Sequence, residues 1–416
     1  MVFALAVDRL LVKGIMAQKI LEGRQMPREY QTLQNLSGAK ESTVGTLLGK
    51  PQPNQCKTKA FVALGVIVAF VAGTPLSSNA QKYEDLSVPN SPLVLQATGS
   101  FYVGGRTVSM TETETGLYGG GSLVVDQMYV QYMVPQGHSK PAVVMVHGST
   151  LSGKSFETTP DGRMGWYEYF ARKGYPSYVV DQVARGRSGF NPAVFNDVRA
   201  GLAPPASQPN LRRVTGDIAR VRFRIGPVVG GKFDDTQFPV EASEEFAKQS
   251  VPDQTQGPTP KDPNFSNPSD PNYIALSELA KGLKGTVIMG HSQAGRYPFE
   301  TALLEPNGIK ALIAIEPPGC KASEYTDEQI ATLAKFPILV VFGDHVETPQ
   351  TVGPNWLPMF KDCQAFVARI NAAKGDATML HPVEIGIHGN SHMIMQDKNN
   401  LQIADLIMNW INLHAG

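Results

Sequence analysis

The chain has 416 residues, 42% of them hydrophobic and 18% charged, which is ample material for a core and excludes a disordered protein. Lys plus Arg and Asp plus Glu both number 37, so the net charge is zero and no basic block points to nucleic acid. Three cysteines are too few for a disulfide scaffold or an all-cysteine zinc site.

Residues 1–56 carry no repeat and no strong helix or strand pattern. Residues 60–72, AFVALGVIVAFVA, are thirteen apolar or small residues without a charge, preceded by Lys57 and Lys59. Ser78-Asn79-Ala80 follows, with small residues where a signal peptidase reads. A positive flank, a short apolar run and a small-residue exit predict a signal peptide over 57–80, cleaved after Ala80. The run is shorter than the ~20 residues of a membrane span, so no stable membrane insertion is expected after cleavage. The distance of this signal from Met1 suggests a later translation start, at Met26 or a non-Met codon, with 1–56 untranslated or unstructured. The protein is therefore expected to be secreted or periplasmic. Cys56 would be lost with the leader, leaving Cys320 and Cys363 as an even pair in an oxidising compartment.

Gln81–Gly416, 336 residues, reads as strands alternating with helices. The predicted strands are Met128–Val134, Ala142–Val146, Tyr178–Val180, Thr286–Met289, Ala311–Ile315 and Pro337–Phe342. Several are continuous β-branched runs, as expected for strands covered on both faces of a parallel sheet. A helix around Met164–Arg172 groups Trp166, Tyr167, Tyr169 and Phe170. The last helix, after Asn400, spaces Ile403, Leu406, Ile407, Trp410 and Ile411 helically, with Asp397, Asn399 and Asn400 as N-cap candidates. The pattern predicts an α/β fold with a mostly parallel sheet and helices on both faces. Residues 190–284 separate two strands by far more than an ordinary crossover, and 252–272 is crowded with Pro, Asn, Asp and Ser. This predicts a cap or lid inserted over the sheet edge. Phe190, Phe195, Phe223, Phe233 and Phe238 are candidates to line a pocket beneath the insertion, although core packing explains them equally well.

Residues 148–155, GSTLSGKS, match a P-loop literally, with Tyr178–Asp181 as an apolar-then-Asp partner. A P-loop needs a helix starting at its GKS, so that N-terminal amides meet the phosphates. Pro160 and Gly162 stand where that helix would run, so nucleotide binding is only the minor alternative.

Gly290-His291-Ser292-Gln293-Ala294-Gly295 is G-x-S-x-G, after one predicted strand and before a helix candidate. The glycines leave room for a sharp turn that exposes Ser292 Oγ at a strand end, making Ser292 the candidate nucleophile. His388-Gly389-Asn390-Ser391-His392 lies between the last strand and the last helix. His392 is the preferred base and His388 the fallback. No Glu or Cys at ligand spacing joins the two histidines into a zinc site. Two carboxylates follow later strands, Glu316 after Ala311–Ile315 and Asp344 after Pro337–Phe342. Both keep the order Ser, acid, His, and spacing does not choose between them. The oxyanion donors are expected to be the backbone N–H of Gln293, after the nucleophile, and of Ser149, after strand Ala142–Val146.

His147-Gly148, Asp181-Gln182 leading into Gly186-Arg187-Ser188, GHSQAG, Glu316-Pro317 and GNSHMIMQD together resemble a family of secreted bacterial carboxylesterases of the α/β-hydrolase superfamily. The resemblance spans nearly all of residues 90–416, and GNSHMIMQD is its most specific mark. It implies an α/β-hydrolase fold, ester hydrolysis through a serine, and a glutamate acid directly after the sixth strand, which maps to Glu316. Glu316 follows Ser292 by 24 residues, enough for one helix and one strand. One departure is visible: a member of that family carries a cysteine pair directly after its His-Gly, where this chain has Ser149-Thr150, so the oxyanion loop is expected to differ. A Cys320–Cys363 disulfide would close a 43-residue separation and restrain the loop carrying the acid. Expected partners are a small-molecule ester, with a homodimer left open and no nucleic acid; no metal or organic cofactor is required. The rival from another class is a non-catalytic binding protein that keeps the hydrolase shell.

Overall fold

The computed structural model describes residues 86–254 and 270–416. The expected upstream segment and signal peptide lie outside the described residues, as does most of the Pro- and Asn-rich run. Among the described residues, one sheet of eight strands organises the fold: β1 Leu95–Met110, β2 Gly121–Pro135, β3 Ala142–Val146, β4 Ser177–Asp181, β5 Thr286–His291, β6 Ile309–Ile315, β7 Pro337–Val341 and β8 Asp376–Leu380. Their spatial order is β1-β2-β4-β3-β5-β6-β7-β8. β1 and β2 pair antiparallel, as do β2 and β4, and every other pairing is parallel.

The continuous apolar strands follow from double-sided burial. Val143 and Met145 of β3 face one layer, where α1 (Trp166–Arg172) and the C-terminal helix supply Trp166, Phe170, Ile403 and Ile407. Val144 and Val146 face the opposite layer with Tyr273, Leu276 and Leu279. Successive strand residues point to opposite faces, so a strand covered on both sides has no polar alternate positions. On the second face, Leu312, Ala314, Ile338 and Val340 meet Phe299, Leu333, Phe366 and Ile370.

Elements with weaker signals are also present. β1 is 16 residues long and mostly exposed, with Met110 its one buried residue, so its sequence carries no continuous apolar run. β2 begins at Gly121, before the apolar run that marks its second half. β8 is a half-buried edge strand without a continuous apolar run.

The stretch between β4 and β5 divides in two. Residues 190–254 hold α2 (Ala193–Arg199), α3 (Gly216–Arg222) and α4 (Ser243–Lys248), joined by irregular backbone. After the undescribed residues comes α5 (Pro271–Leu283), whose Tyr273, Leu276 and Leu279 pack on Val130 and Ile288 of the sheet. α5 therefore covers the sheet as a crossover helix, and the irregular insertion ends before it. α6 (Tyr297–Leu304), α7 (Asp327–Leu333), α8 (Trp356–Ala372) and α9 (Asn400–His414) complete the layers.

Candidate active site

Ser292 occupies the turn between β5 and α6, with a left-handed backbone at φ 56°. The turn is tight enough to demand the flanking glycines. A Cβ on Gly290 would lie 1.9 Å from Ala294 O, and one on Gly295 would lie 2.7 Å from Pro317 Cβ. Gly148 approaches from β3, where a Cβ would stand 2.7 Å from Ser292 Cβ. The loop after β3 therefore lies directly against the serine.

The structure brings Ser292, His392 and Glu316 into one hydrogen-bonded line. Ser292 Oγ is 2.9 Å from His392 Nε2, and His392 Nδ1 is 3.0 Å from Glu316 Oε2. With a carboxylate at Nδ1, the proton of a neutral ring sits on Nδ1 and leaves Nε2 to accept from the serine. Asp344 and His388 stand apart from this line. Asp344 accepts from Gly389 N–H at 3.0 Å and faces His388 Nδ1 at 3.2 Å, while His388 is exposed.

Burial pushes the His392 pKa down, and Arg224 and Arg222 push it the same way, against the Glu316 carboxylate that raises it. Burial also acts to raise Glu316, but the Arg224 charge and the bond to His392 outweigh it and hold that carboxyl at about 2. Near neutral pH the pair is thus a neutral imidazole beside an ionised carboxylate.

Arg224 was not legible in the sequence as a site residue. It comes from the insertion, is fully buried, and donates Nη2 to both Glu316 oxygens at 2.6 Å. Its Nε donates to Asp344 O at 2.7 Å, and its guanidinium lies 4.7 Å from the Trp356 ring centre. Gly343 N–H also donates to Glu316. The neighbouring Phe223 accepts from His392 N–H at 2.8 Å through its carbonyl, and its ring packs 5.0 Å from the imidazole. Of the other candidate aromatics, Phe233 stacks on His345, Phe238 is buried against Phe246, and Phe190 pairs with Phe195.

The GNSHMIMQD loop is closed by Asp397. This buried carboxylate accepts from Ser391 N–H and Ser391 Oγ, each at 2.7 Å, and from Asn390 Nδ2 at 3.0 Å. It thereby holds the residues just before His392. Burial raises its pKa to about 6 against these bonds. Its place before α9 suggests a helix cap; instead Asn399 precedes the helix, and no side chain caps it.

Ser149 and Thr150, at the position of the expected departure, are held by hydrogen bonds. Ser149 Oγ donates to Asp253 Oδ2 at 2.6 Å, and Thr150 N–H donates to the same oxygen at 3.3 Å. The P-loop spelling around them makes no phosphate cradle. Gly153–Phe156 is a single 3-10 turn, and the next α-helix begins at Trp166. Lys154 Nζ donates to Thr158 O, and Asp181 takes Gly153 N–H and the Arg187 guanidinium.

The expected disulfide joins Cys320 and Cys363 with Cα atoms 4.8 Å apart. Asp362 reinforces it by accepting from the N–H groups of Cys320, Lys321 and Ala322 at 2.6–3.0 Å. Among the described residues, no helix is long and apolar enough to cross a membrane.

The chain is 45% identical to a solved structure described as that of "a novel bacterial esterase", with a TM-score of 0.72, covering 79% of this chain and 99% of that one. This chain belongs to that esterase family. Its mostly parallel eight-stranded sheet with flanking helices is that of an α/β-hydrolase, the fold that the resemblance implied. A curated fungal protein (Fungal sp., strain ATCC 74256) named "Probable secreted lipase phiG" is 25% identical over 380 residues, covering 77% of this chain and 96% of that protein. No protein-family model matches the chain.

Proposed function

We propose that this esterase hydrolyses carboxylic esters through an acyl-enzyme on Ser292. The observation that carries the reading is the unbroken line from Ser292 Oγ through the His392 imidazole to the Glu316 carboxylate. In the first half-reaction Ser292 Oγ bonds to the ester carbonyl carbon while its proton passes to His392 Nε2. The carbonyl oxygen becomes an oxyanion facing the N–H groups of Ser149 and Gln293. Such donors are worth ~2.7–4 kcal/mol each in the transition state. The carbon–oxygen bond to the alcohol then breaks, and His392 gives its proton to the departing alkoxide. Water enters, loses a proton to His392 and attacks the acyl carbon; collapse frees the acid and returns the proton to Ser292 Oγ. Glu316 stays ionised throughout, orienting the ring and stabilising the imidazolium. None of these steps calls on a metal or organic cofactor.

Secretion fits this reading, supported by the disulfide and by the similarity to a protein named as a secreted lipase. The signal over 57–80, cleavage after Ala80 and the insertion as a cap over the site belong to the same proposal.

The test is intact-mass analysis of the exported protein after treatment with a fluorophosphonate, with peptide mapping, beside turnover of p-nitrophenyl esters. One adduct on Ser292, absent from Ser292→Ala, together with ester turnover, is the expected result. Folded protein that takes no adduct and cleaves no ester would overturn the reading in favour of a binding protein.

A further inference from the structure

Both oxyanion donors named above hang on one buried frame assembled from four parts of the chain. Gly148 O faces His147 Nδ1 at 2.8 Å and accepts from Arg185 Nη1 at 3.2 Å. Gln182 N–H donates to His147 Nε2 at 2.9 Å, so the proton of that ring is on Nδ1 and is given to Gly148 O. The peptide linking Gly148 to Ser149 is planar and trans. Fastening its carbonyl on one side therefore sends Ser149 N–H to the other.

Arg185 also reaches the side chain of Gln293, the residue whose backbone N–H is the second donor. Its Nη2 donates to Gln293 Oε1 at 2.8 Å and pairs with Asp253 Oδ1 at 2.7 Å. Asp253, at the end of the insertion, completes the frame by accepting from Ser149 Oγ and Thr150 N–H. Both charges are fully buried. A buried ion pair is a weak source of net stability compared with apolar side chains of the same volume. What this one supplies is direction: Arg185 bonds to Gly148 O and Gln293 Oε1, on both sides of the oxyanion position, and Asp253 ties Arg185 to the loop of Ser149 and Thr150.

We propose that the Arg185–Asp253 pair is the positioning element of the oxyanion hole, setting the separation and aim of the Ser149 and Gln293 N–H groups. The inference rests on the ester-hydrolase reading. Neither residue touches substrate; both act through the two backbone donors. Oxyanion stabilisation depends on donors fixed before charge develops, so a loosened frame costs rate at the transition state more than it costs substrate binding.

Asp253→Asn, Ser149→Ala and Gln293→Leu would be compared with the parent on p-nitrophenyl acetate and with a trifluoromethyl ketone. Ser292 Oγ adds to the ketone carbonyl carbon as its proton passes to His392 Nε2, and the carbonyl π electrons move onto oxygen to give a hemiketal oxyanion in the same place. Asp253→Asn is expected to lower kcat by ~10²-fold, the scale of one lost oxyanion donor. KM should stay within about 3-fold, since uniform binding is untouched. Affinity for the ketone should fall in step with kcat, and the acid limb of the pH profile, which reports the base, should not move. Ser149→Ala in the Asp253→Asn background should add little, because both remove the same restraint.

A folded Asp253→Asn protein with parental kcat, or with lower kcat but parental ketone affinity, overturns the proposal. Should Asp253→Asn fail to fold, the two single-bond variants decide: loss of kcat and ketone affinity together supports the frame, and parental values in both overturn it. Loss of the frame's role in an active parent leaves the ester-hydrolase reading standing, whereas a parent inert to both ester and fluorophosphonate overturns both.

Discussion

On one side of the site Ser292 and Glu316, the proposed nucleophile and acid, stand at the ends of β5 and β6, on backbone fixed by parallel pairing and by side chains buried on both faces. On the other side, residues 190–254 are short helices and irregular chain, yet they deliver Arg224 to Glu316, Phe223 to His392 and Asp253 to the loop of Ser149. The sheet side is held by apolar burial summed over many residues. The insertion is held at the site by a few buried, charge-assisted hydrogen bonds. The first kind of support yields gradually to substitution; the second fails at single residues, because a lost partner leaves a charge buried alone.

The largest effect that tests this contrast lies on the sheet side. Glu316→Gln should lower kcat by up to ~10⁴-fold through loss of imidazole orientation, and Asp344→Asn should cost far less. Steady-state kinetics of the two variants check the ranking, and the reverse order would move the acid to Asp344.

Arg224→Met probes the insertion. It leaves the Glu316 carboxylate without its cation in a buried site, a loss of about 3–5 kcal/mol in denaturant unfolding. Arg224 lowers the His392 pKa, so its removal should shift the acid limb of activity to higher pH. A melt and a pH profile like those of the parent would show that the insertion is not a working part of the site.

Reducing the Cys320–Cys363 bond, whose closed separation is 43 residues, should cost ~4 kcal/mol on the chain-entropy account. Asp362 still ties the Cys320 loop to α8, so kcat at 25 °C should survive reduction while the unfolding midpoint falls. Parallel loss of both would show that the bridge, rather than the carboxylate, holds the acid in place.

A smaller change is expected from acid. The Glu316 pKa is depressed in the fold from 4.5 to about 2. Its stabilising contribution is therefore complete above pH 4.5 and is lost as pH falls toward 2, on the order of 3 kcal/mol by linkage. Glu316→Gln should flatten this part of the stability curve, as urea titrations at successive pH values would show.

The difference between the two regions also explains what could be read in advance. The β3, β5, β6 and β7 runs announce themselves because double-sided burial requires unbroken apolar sequence. Ser292 is legible from glycines that steric contact makes obligatory. Glu316 needed the family resemblance, because Asp344 follows a strand just as well. Arg224 and Asp253 carry no such signal. Each is one charged residue in an irregular stretch, and its role comes from a tertiary contact with no periodicity behind it. Asp397 carried a misleading signal, since an acid just before a helix usually means a cap. β1 was silent because a solvated strand has no hydrophobic phase to detect.

Ser292 at φ 56°, Glu316 at φ 53°, Arg224 at φ 51° and Thr150 at φ 58° all hold left-handed backbone without being glycine. Each such residue costs on the order of 1–3 kcal/mol, recovered from the packing around it. The centre is consequently a place where heat resistance and activity pull against each other. Ser292→Gly would release one of these strains along with the proposed nucleophile. It should melt above the parent and cleave nothing, so a library ranked by melting temperature alone would tend to select the active serine away.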